Sequence, residues 1–136
     1  AARVLVTGAI IDRCLGAVGA VEGAVAGWRA SDTIKVVDDD GRVRATPDRR
    51  GLWSAQTPQA FPRAPLLAAY RKAVEAGASA TDDAAVFADF GGGLVHMVEG
   101  APWNLKVTYP EDLEVAALLL EKREQRTEQK SGTGER

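Results

Sequence analysis

Residues 33–46 read Thr-Ile-Lys-Val-Val-Asp-Asp-Asp-Gly-Arg-Val-Arg-Ala-Thr. Thr33-Ile34-Lys35-Val36-Val37 is rich in β-branched strand formers, and Asp40-Gly41 is a strong hairpin turn signal. Arg42-Val43-Arg44-Ala45-Thr46 then alternates charged with smaller or apolar side chains. The outgoing strand has too few large apolar groups to sit inside a core. The stretch therefore predicts a hairpin that projects from the body or lies against a second chain.

Upstream, Thr7-Gly8 opens a short helix with Ile10, Ile11, Cys14, Leu15 and Val18 on one face. Residues 21–27 read as a buried strand of small residues, with a helix or loop as the alternative. Downstream, Leu52 to Phe61 is expected to carry a loop at Pro58. Residues 63–76 predict a helix with Leu66, Leu67, Tyr70 and Val74 on one face, stopped by Gly77. Thr81-Asp82-Asp83 is a helix N-cap with acids in the first turn. That helix carries Ala85, Val86, Phe87 and Phe90 until Gly91-Gly92-Gly93 breaks it. Leu94 to Val98 predicts a strand and Leu105 to Thr108 a shorter one. Thr108-Tyr109-Pro110-Glu111 is a capping box for a last helix with Leu113, Ala116, Ala117 and Leu120 along its face. The order of elements argues an α/β sheet with a hairpin excursion. Residues 1–120 are expected to form one domain, with the arm at about 32–50. Residues 121–136, mixed in charge and lacking large apolar groups, are expected to be a solvated, disordered tail.

A chain of 136 residues makes one domain and can bury roughly 65–70% of its unfolded surface. Apolar residues make up 46%, but 24 of them are alanine. With 17 basic and 19 acidic residues the net charge is −2, so no global basic field exists to hold nucleic acid or an anionic membrane. No apolar run approaches the ~20 residues of a membrane helix, and no signal-peptide pattern is read. The single cysteine, Cys14, cannot form an internal disulfide, which fits a cytoplasmic setting. The chain begins Ala1-Ala2-Arg3 and its one methionine is Met97. This predicts a segment of a longer polypeptide, the alternative being a processed terminus.

Taken alone, the residues offer few catalytic signatures. His96, the one histidine, reads as a structural or exposed strand residue, and Cys14 as a small core hydrophobe. No cluster has metal-ligand spacing, and the Gly91–Gly93 run is a turn without a following helix N-terminus. What remains is Thr33, Arg49, Thr57, Thr81 and Lys106, each beside a strand end, cap or turn. Hydroxyls, one guanidinium fork and one ammonium suit a phosphate monoester. Each alone has a bland reading, Thr81 as a cap and Lys106 as a surface residue.

Six segments select that set together. They are Ala1-Ala2-Arg3; Ser31 to Lys35; Thr46 to Trp53; Gln56-Thr57-Pro58-Gln59-Ala60-Phe61; Ala80 to Ala84; and Asn104 to Leu113. In this order and spacing the chain, from Arg3 to about Leu120, resembles the C-terminal half of 2-C-methyl-D-erythritol 4-phosphate cytidylyltransferases. The resemblance implies a Rossmann-like nucleotidyltransferase with a partial sheet and a projecting β-hairpin dimerisation arm. It implies transfer of a cytidylyl group from CTP to 2-C-methyl-D-erythritol 4-phosphate, with release of pyrophosphate, in the non-mevalonate route to isoprenoids. Mg²⁺ would be bound mainly through the CTP phosphates.

By the same resemblance Arg49 and Lys106 position the substrate phosphate, and Thr33, Thr57 and Thr81 contact phosphate and polyol. Arg3 lies near substrate and ribose, and Ala1, Ala2 and Lys106 near the nucleotide. Thr33 and Arg49 fall in the arm and would serve the other subunit of a homodimer. The family's triphosphate loop is absent from these residues, so the chain alone is expected to be inactive. Residues 23–31 lack the family's prolines and carry Trp28 and Arg29 instead. The alternatives are a ribitol-phosphate-type cytidylyltransferase and a non-catalytic dimerisation module.

Overall fold

Thr7 starts the first helix, α1 (Gly8–Gly16): its backbone is extended and its hydroxyl accepts from the Ile10 N–H at 3.4 Å. The computed structural model describes residues 2–131, with side chains as far as Arg126. After α1 come β1 (Glu22–Arg29), β2 (Val36–Val37), β3 (Val43–Ala45), a 3-10 turn at Arg49–Gly51 and β4 (Trp53–Ala60). Then follow α2 (Arg63–Glu75), α3 (Asp83–Gly91), β5 (Leu94–Glu99) and α4 (Pro110–Ser131). Among the described residues no helix is long and apolar enough to cross a membrane.

β1 is the centre of a three-stranded mixed sheet ordered β4-β1-β5. It pairs antiparallel with β4, from Ala24↔Ala60 to Arg29↔Trp53, and parallel with β5, from Glu22↔Leu94 to Gly27↔Glu99. Gly23 to Gly27 are all buried, and their small size is what lets neighbours close in. A Cβ on Gly23 would lie 2.2 Å from the Phe61 ring, and one on Gly27 2.3 Å from Met97 Cε. The strand expected at 21–27 is therefore present, two residues longer at its C-terminal end. Pro58 does not mark a loop. It lies inside β4, after a cis Thr57–Pro58 peptide, where the ladder skips between Val25 and Gly27. A bulge is the place in a strand where a missing N–H breaks no ladder bond.

Among the described residues two small clusters contribute to the core. Ile10 and Cys14 of α1 pack on Ala24 and Ala26 of β1 with Ala101. Ala69 and Ala73 of α2 pack on Val86 of α3. The helix spans follow the sequence reading, but the buried faces are rotated from it. Ile11 and Leu15 are exposed, as are Leu67, Tyr70 and Val74, while α2 turns Ala69 and Ala73 inward. The cause is close approach: a Cβ on Gly91 of α3 would meet the Ala69 methyl at 3.2 Å, leaving no room for a leucine. Among the described residues of α4 only Ala116 is fully buried, and Leu113 and Leu120 are exposed.

The hairpin forms as a separate two-stranded sheet with Val36↔Ala45 and Val37↔Val43 paired. Gly41 takes φ +77°, the left-handed conformation that glycine adopts without steric cost. Asp38 closes the turn: its carboxylate accepts from the Arg42 N–H at 2.8 Å, and its own N–H donates to the Arg42 carbonyl at 3.1 Å. Every residue of β2 and β3 is exposed.

Four further expectations are corrected. The cap of α3 is Asp82, not Thr81, with its carboxylate accepting from Ala85 N–H at 2.9 Å. Residues 105–108 form no strand; Val107 N–H instead donates to the Ala2 carbonyl at 2.6 Å, an isolated bond outside the sheet. At the start of α4 the carboxylate that reaches back is Asp112, not Glu111. It accepts from Thr108 and Tyr109 N–H at 2.8 and 2.9 Å, and these two bonds hold its pKa below the ordinary aspartate value. Finally, the tail expected from residue 121 is helical as far as Ser131. Arg123 anchors it, donating to the Leu5 carbonyl at 3.1 Å with its guanidinium 5.6 Å from the Trp103 ring centre. Residues 132–136 lie outside the described residues.

Candidate functional site

The site is built from β4 outward. Gln56 points into the body and is almost wholly buried, so its amide must be paired. Its Nε2 donates to the Ala101 carbonyl at 2.8 Å, and its Oε1 accepts from Ala101 N–H at 3.3 Å. Asn104, with no exposed surface at all, completes the arrangement: its Nδ2 donates to Gln56 Oε1 at 3.1 Å and to the Thr57 carbonyl at 2.9 Å. Gly100 makes room, since a Cβ there would lie 2.3 Å from Gln56 Oε1. Two neutral amides thus clamp the 100–104 loop to β4.

Arg3 joins this clamp from the N-terminal segment. One guanidinium nitrogen donates to the Asn104 carbonyl and the other to the Ala55 carbonyl at 3.3 Å. Burial draws its pKa down from the ordinary arginine value, but a guanidinium stays charged at neutral pH. The structure therefore brings Ala2, Arg3, Thr57 and Lys106 into one neighbourhood: Val107 is bonded to Ala2, and Asn104 to Arg3 and Thr57. Lys106 and Thr57 are exposed on it. Thr81 belongs to the same flank of β4, because Gln59 Nε2 donates to Asp82 Oδ2 at 3.1 Å and Asp82 follows Thr81 directly. Ala1 lies outside the described residues.

Thr33 and Arg49 form a second group at the root of the hairpin. Arg49 Nη1 donates to the Ser31 carbonyl at 2.7 Å, two residues from Thr33, and both side chains are exposed. Among the described residues no hydrogen bond joins either of them to Lys106. Trp28 and Arg29 end β1 beside this root, with the Arg29 guanidinium 4.7 Å from the Trp53 ring centre. That contact closes the end of the β1–β4 pair where the chain departs into the hairpin.

Sequence reading did not single out Gln56, Asn104 or Asp82 as positioning residues, although all three lie in quoted segments. Their signal is burial of a polar group, which depends on partners up to 48 residues away. His96 stands on the exposed side of β5, its Nε2 3.7 Å from Glu22 Oε1. Among the described residues no three His, Cys, Asp or Glu side chains converge as a metal site.

The profile of the 2-C-methyl-D-erythritol 4-phosphate cytidylyltransferase (IspD) family matches residues 1–122. The protein of that name from Acaryochloris marina is 45% identical over 133 residues, which cover 98% of this chain and 56% of that protein. The one from Thermosynechococcus vestitus is 44% identical over 131 residues, 96% and 56% of the two chains. Among solved structures, the 4-diphosphocytidyl-2C-methyl-D-erythritol synthase of Anaerococcus prevotii superposes with a TM-score of 0.80 at 30% identity, covering 88% of this chain and 55% of that one. The 2-C-methyl-D-erythritol 4-phosphate cytidylyltransferase of Thermus thermophilus gives 0.76 at 32% identity, over 87% and 57%. The chain thus spans about half the length of the relatives it matches, and the mixed sheet and flanking helices are those of their Rossmann-like fold. It belongs to the 2-C-methyl-D-erythritol 4-phosphate cytidylyltransferase family.

Proposed function

We propose that this chain supplies the acceptor-phosphate side of a cytidylyl transfer from CTP to 2-C-methyl-D-erythritol 4-phosphate. The observation that carries the reading is the display of Arg3, Thr57 and Lys106 on a buried amide clamp. In the reaction a phosphate-monoester oxygen bonds to the α-phosphorus of CTP. The bond from that phosphorus to the bridging oxygen breaks, and pyrophosphate leaves with the electron pair. Such a transfer needs positioning and charge stabilisation and no protein nucleophile. Lys106 would hold an ammonium between two anions that otherwise repel, and Thr57 and Thr81 would donate hydroxyl hydrogen bonds to the acceptor.

Thr33 and Arg49 would act across a homodimer through the hairpin. Ile34, Val36, Val37 and Val43 are all exposed there, an apolar set that a second chain would cover. The wholly buried Cys14 thiol suits a cytoplasmic protein. As for Mg²⁺, the donors around the clamp are cations and amides, not carboxylates, so these residues do not fit a magnesium site. The ion would be held through the nucleotide phosphates, and no step here runs through it.

The test is a fusion that places this chain behind the part of the Acaryochloris marina relative that it does not match. Pyrophosphate release should require both CTP and 2-C-methyl-D-erythritol 4-phosphate, and the 136-residue chain alone should equal the no-enzyme control. In the fusion Lys106→Ala should lower kcat/KM by roughly 10²-fold or more with unchanged stability. A folded fusion that turns over ribitol 5-phosphate and not the methylerythritol phosphate would overturn the acceptor assignment. Equal rates for the Lys106→Ala fusion and its parent would remove Lys106 from the site.

A further inference from the structure

Away from the clamp, a cavity of about 290 Å³ opens between the N-terminal segment and the second half of α4. Its apolar lining is Leu5, Trp103 and Leu119, and its polar lining is Thr7, Lys122, Arg123 and Arg126. Among the described residues no acidic side chain lines it. Its floor is rigid, because Leu5 is 1% exposed and the Leu5 carbonyl accepts from Arg123. That same guanidinium lies 5.6 Å from the Trp103 ring centre, which sets the ring as a wall. Lys122 and Arg126 stand four residues apart, one above the other on the same face of the helix. The Thr7 hydroxyl accepts from Ile10 N–H at 3.4 Å, which leaves its own proton for an acceptor in the cavity.

An apolar floor and aromatic wall beneath a rim of like charge is chemistry for one class of guest. The body must be apolar, and the head must be anionic and take several hydrogen bonds at once. An engineered apolar cavity of about 150 Å³ holds benzene. The volume here is roughly twice that, room for one ring or a short branched chain plus a phosphate. We propose that this cavity binds small organic phosphates of that shape, with Trp103, Leu5 and Leu119 covering the body and Lys122, Arg126 and Thr7 holding the phosphate. Nothing in this assignment draws on the acceptor-side residues, so it stands apart from the proposed transfer.

Phenyl phosphate is the probe. Titrated into the ¹⁵N-labelled chain, it should shift the Trp103 indole N–H and the Thr7 amide saturably. The Trp28 and Trp53 indoles should stay still, the three indoles being assigned with Trp103→Phe. Phenol and inorganic phosphate, each carrying half of the chemistry, should bind at least tenfold more weakly than phenyl phosphate. Lys122→Ala with Arg126→Ala should weaken phenyl phosphate by roughly tenfold or more while leaving the rest of the spectrum in place. Both side chains are exposed on α4, so the double variant keeps its fold. Three results would overturn the proposal: no saturable shift at Trp103, shifts confined to the surroundings of Lys106 or Arg49, or phenol binding as tightly as phenyl phosphate.

Discussion

Replacing Asn104 by alanine tests whether the buried amides hold the candidate site together. The side chain is fully buried and makes two hydrogen bonds, to Gln56 Oε1 at 3.1 Å and to the Thr57 carbonyl at 2.9 Å. Each is worth about 1 kcal/mol net. Oε1 of Gln56 keeps a weaker partner in Ala101 N–H at 3.3 Å, and truncation leaves a small void, so the total is about 2–3 kcal/mol. With a urea m-value of about 2 kcal/mol/M, the unfolding midpoint should fall by roughly 1–1.5 M. Gln56→Ala combined with Asn104→Ala should cost less than the sum of the single changes, since they share a bond. Asn104→Asp is the sharper probe. It presents a carboxylate to the Thr57 carbonyl and to Gln56 Oε1, where the amide had offered a donor, and should be worse than alanine at pH 7. A carboxyl so placed is easier to protonate folded than unfolded, so its deficit should shrink on acidification and grow as pH rises. Urea curves followed by tryptophan fluorescence at pH 5 and 7 read both effects. A midpoint drop under 0.3 M for Asn104→Ala at unchanged m (about 0.6 kcal/mol) would refute the clamp.

Three other outcomes follow from the geometry. Gly93→Ala would set a Cβ 2.0 Å from Phe87 Cε1, and Phe87 is fully buried, so thermal or urea unfolding should show a loss of about 2 kcal/mol or more. Asp112 has its pKa lowered by the Tyr109 and Thr108 N–H bonds, so its support for the α4 start is present above the unfolded aspartate value near about 3.9 and is lost as pH falls through the folded value. The Thr108 and Tyr109 amide resonances should report that loss, and Asp112→Asn should abolish its pH dependence. Cys14 is wholly buried and burial raises its thiol pKa, so Ellman's reagent should react with it only at the rate of unfolding, in step with added urea.

What the sequence made legible was whatever is decided locally. The hairpin was readable because Asp40-Gly41 and its flanking β-branched residues act within a few positions, and the ends of α2 and α3 because Gly77 and Gly92 adopt positive φ. Which face of a helix turns inward was not, because that depends on the partner. In α2 Leu67, Tyr70 and Val74 are outside and Ala69 and Ala73 inside, since α3 comes too close for anything bigger. The short strand expected at 105–108 failed for a related reason: its bond goes to Ala2 and not to a ladder. Among the site residues, Arg3, Thr57 and Lys106 were selected by resemblance and are linked by the fold, whereas Gln56 and Asn104 look like any amide until their burial is known.

That division follows from the cost of burying charge. A cation meant to meet an anionic ligand must stay near water while the site is empty, because an unpaired ammonium in the interior is far more costly than a paired amide. Lys106, which the proposed reading gives that role, is exposed, and exposure alone would leave it on a long, flexible stem. Its placement has to come from the backbone beneath it. The amides of Gln56 and Asn104 can be buried because they carry no net charge and because both polar atoms of Gln56 and the Nδ2 of Asn104 find partners, and they fix that backbone through bonds to Ala101 and Thr57. Arg3 lies between the two regimes: it is half-buried, it remains charged, and it reaches carbonyls on both β4 and the 100–104 loop. The stable part of the candidate site is thus the part without net charge, and the charged part is held at its edge, where on the proposed reading a phosphate would replace water around it.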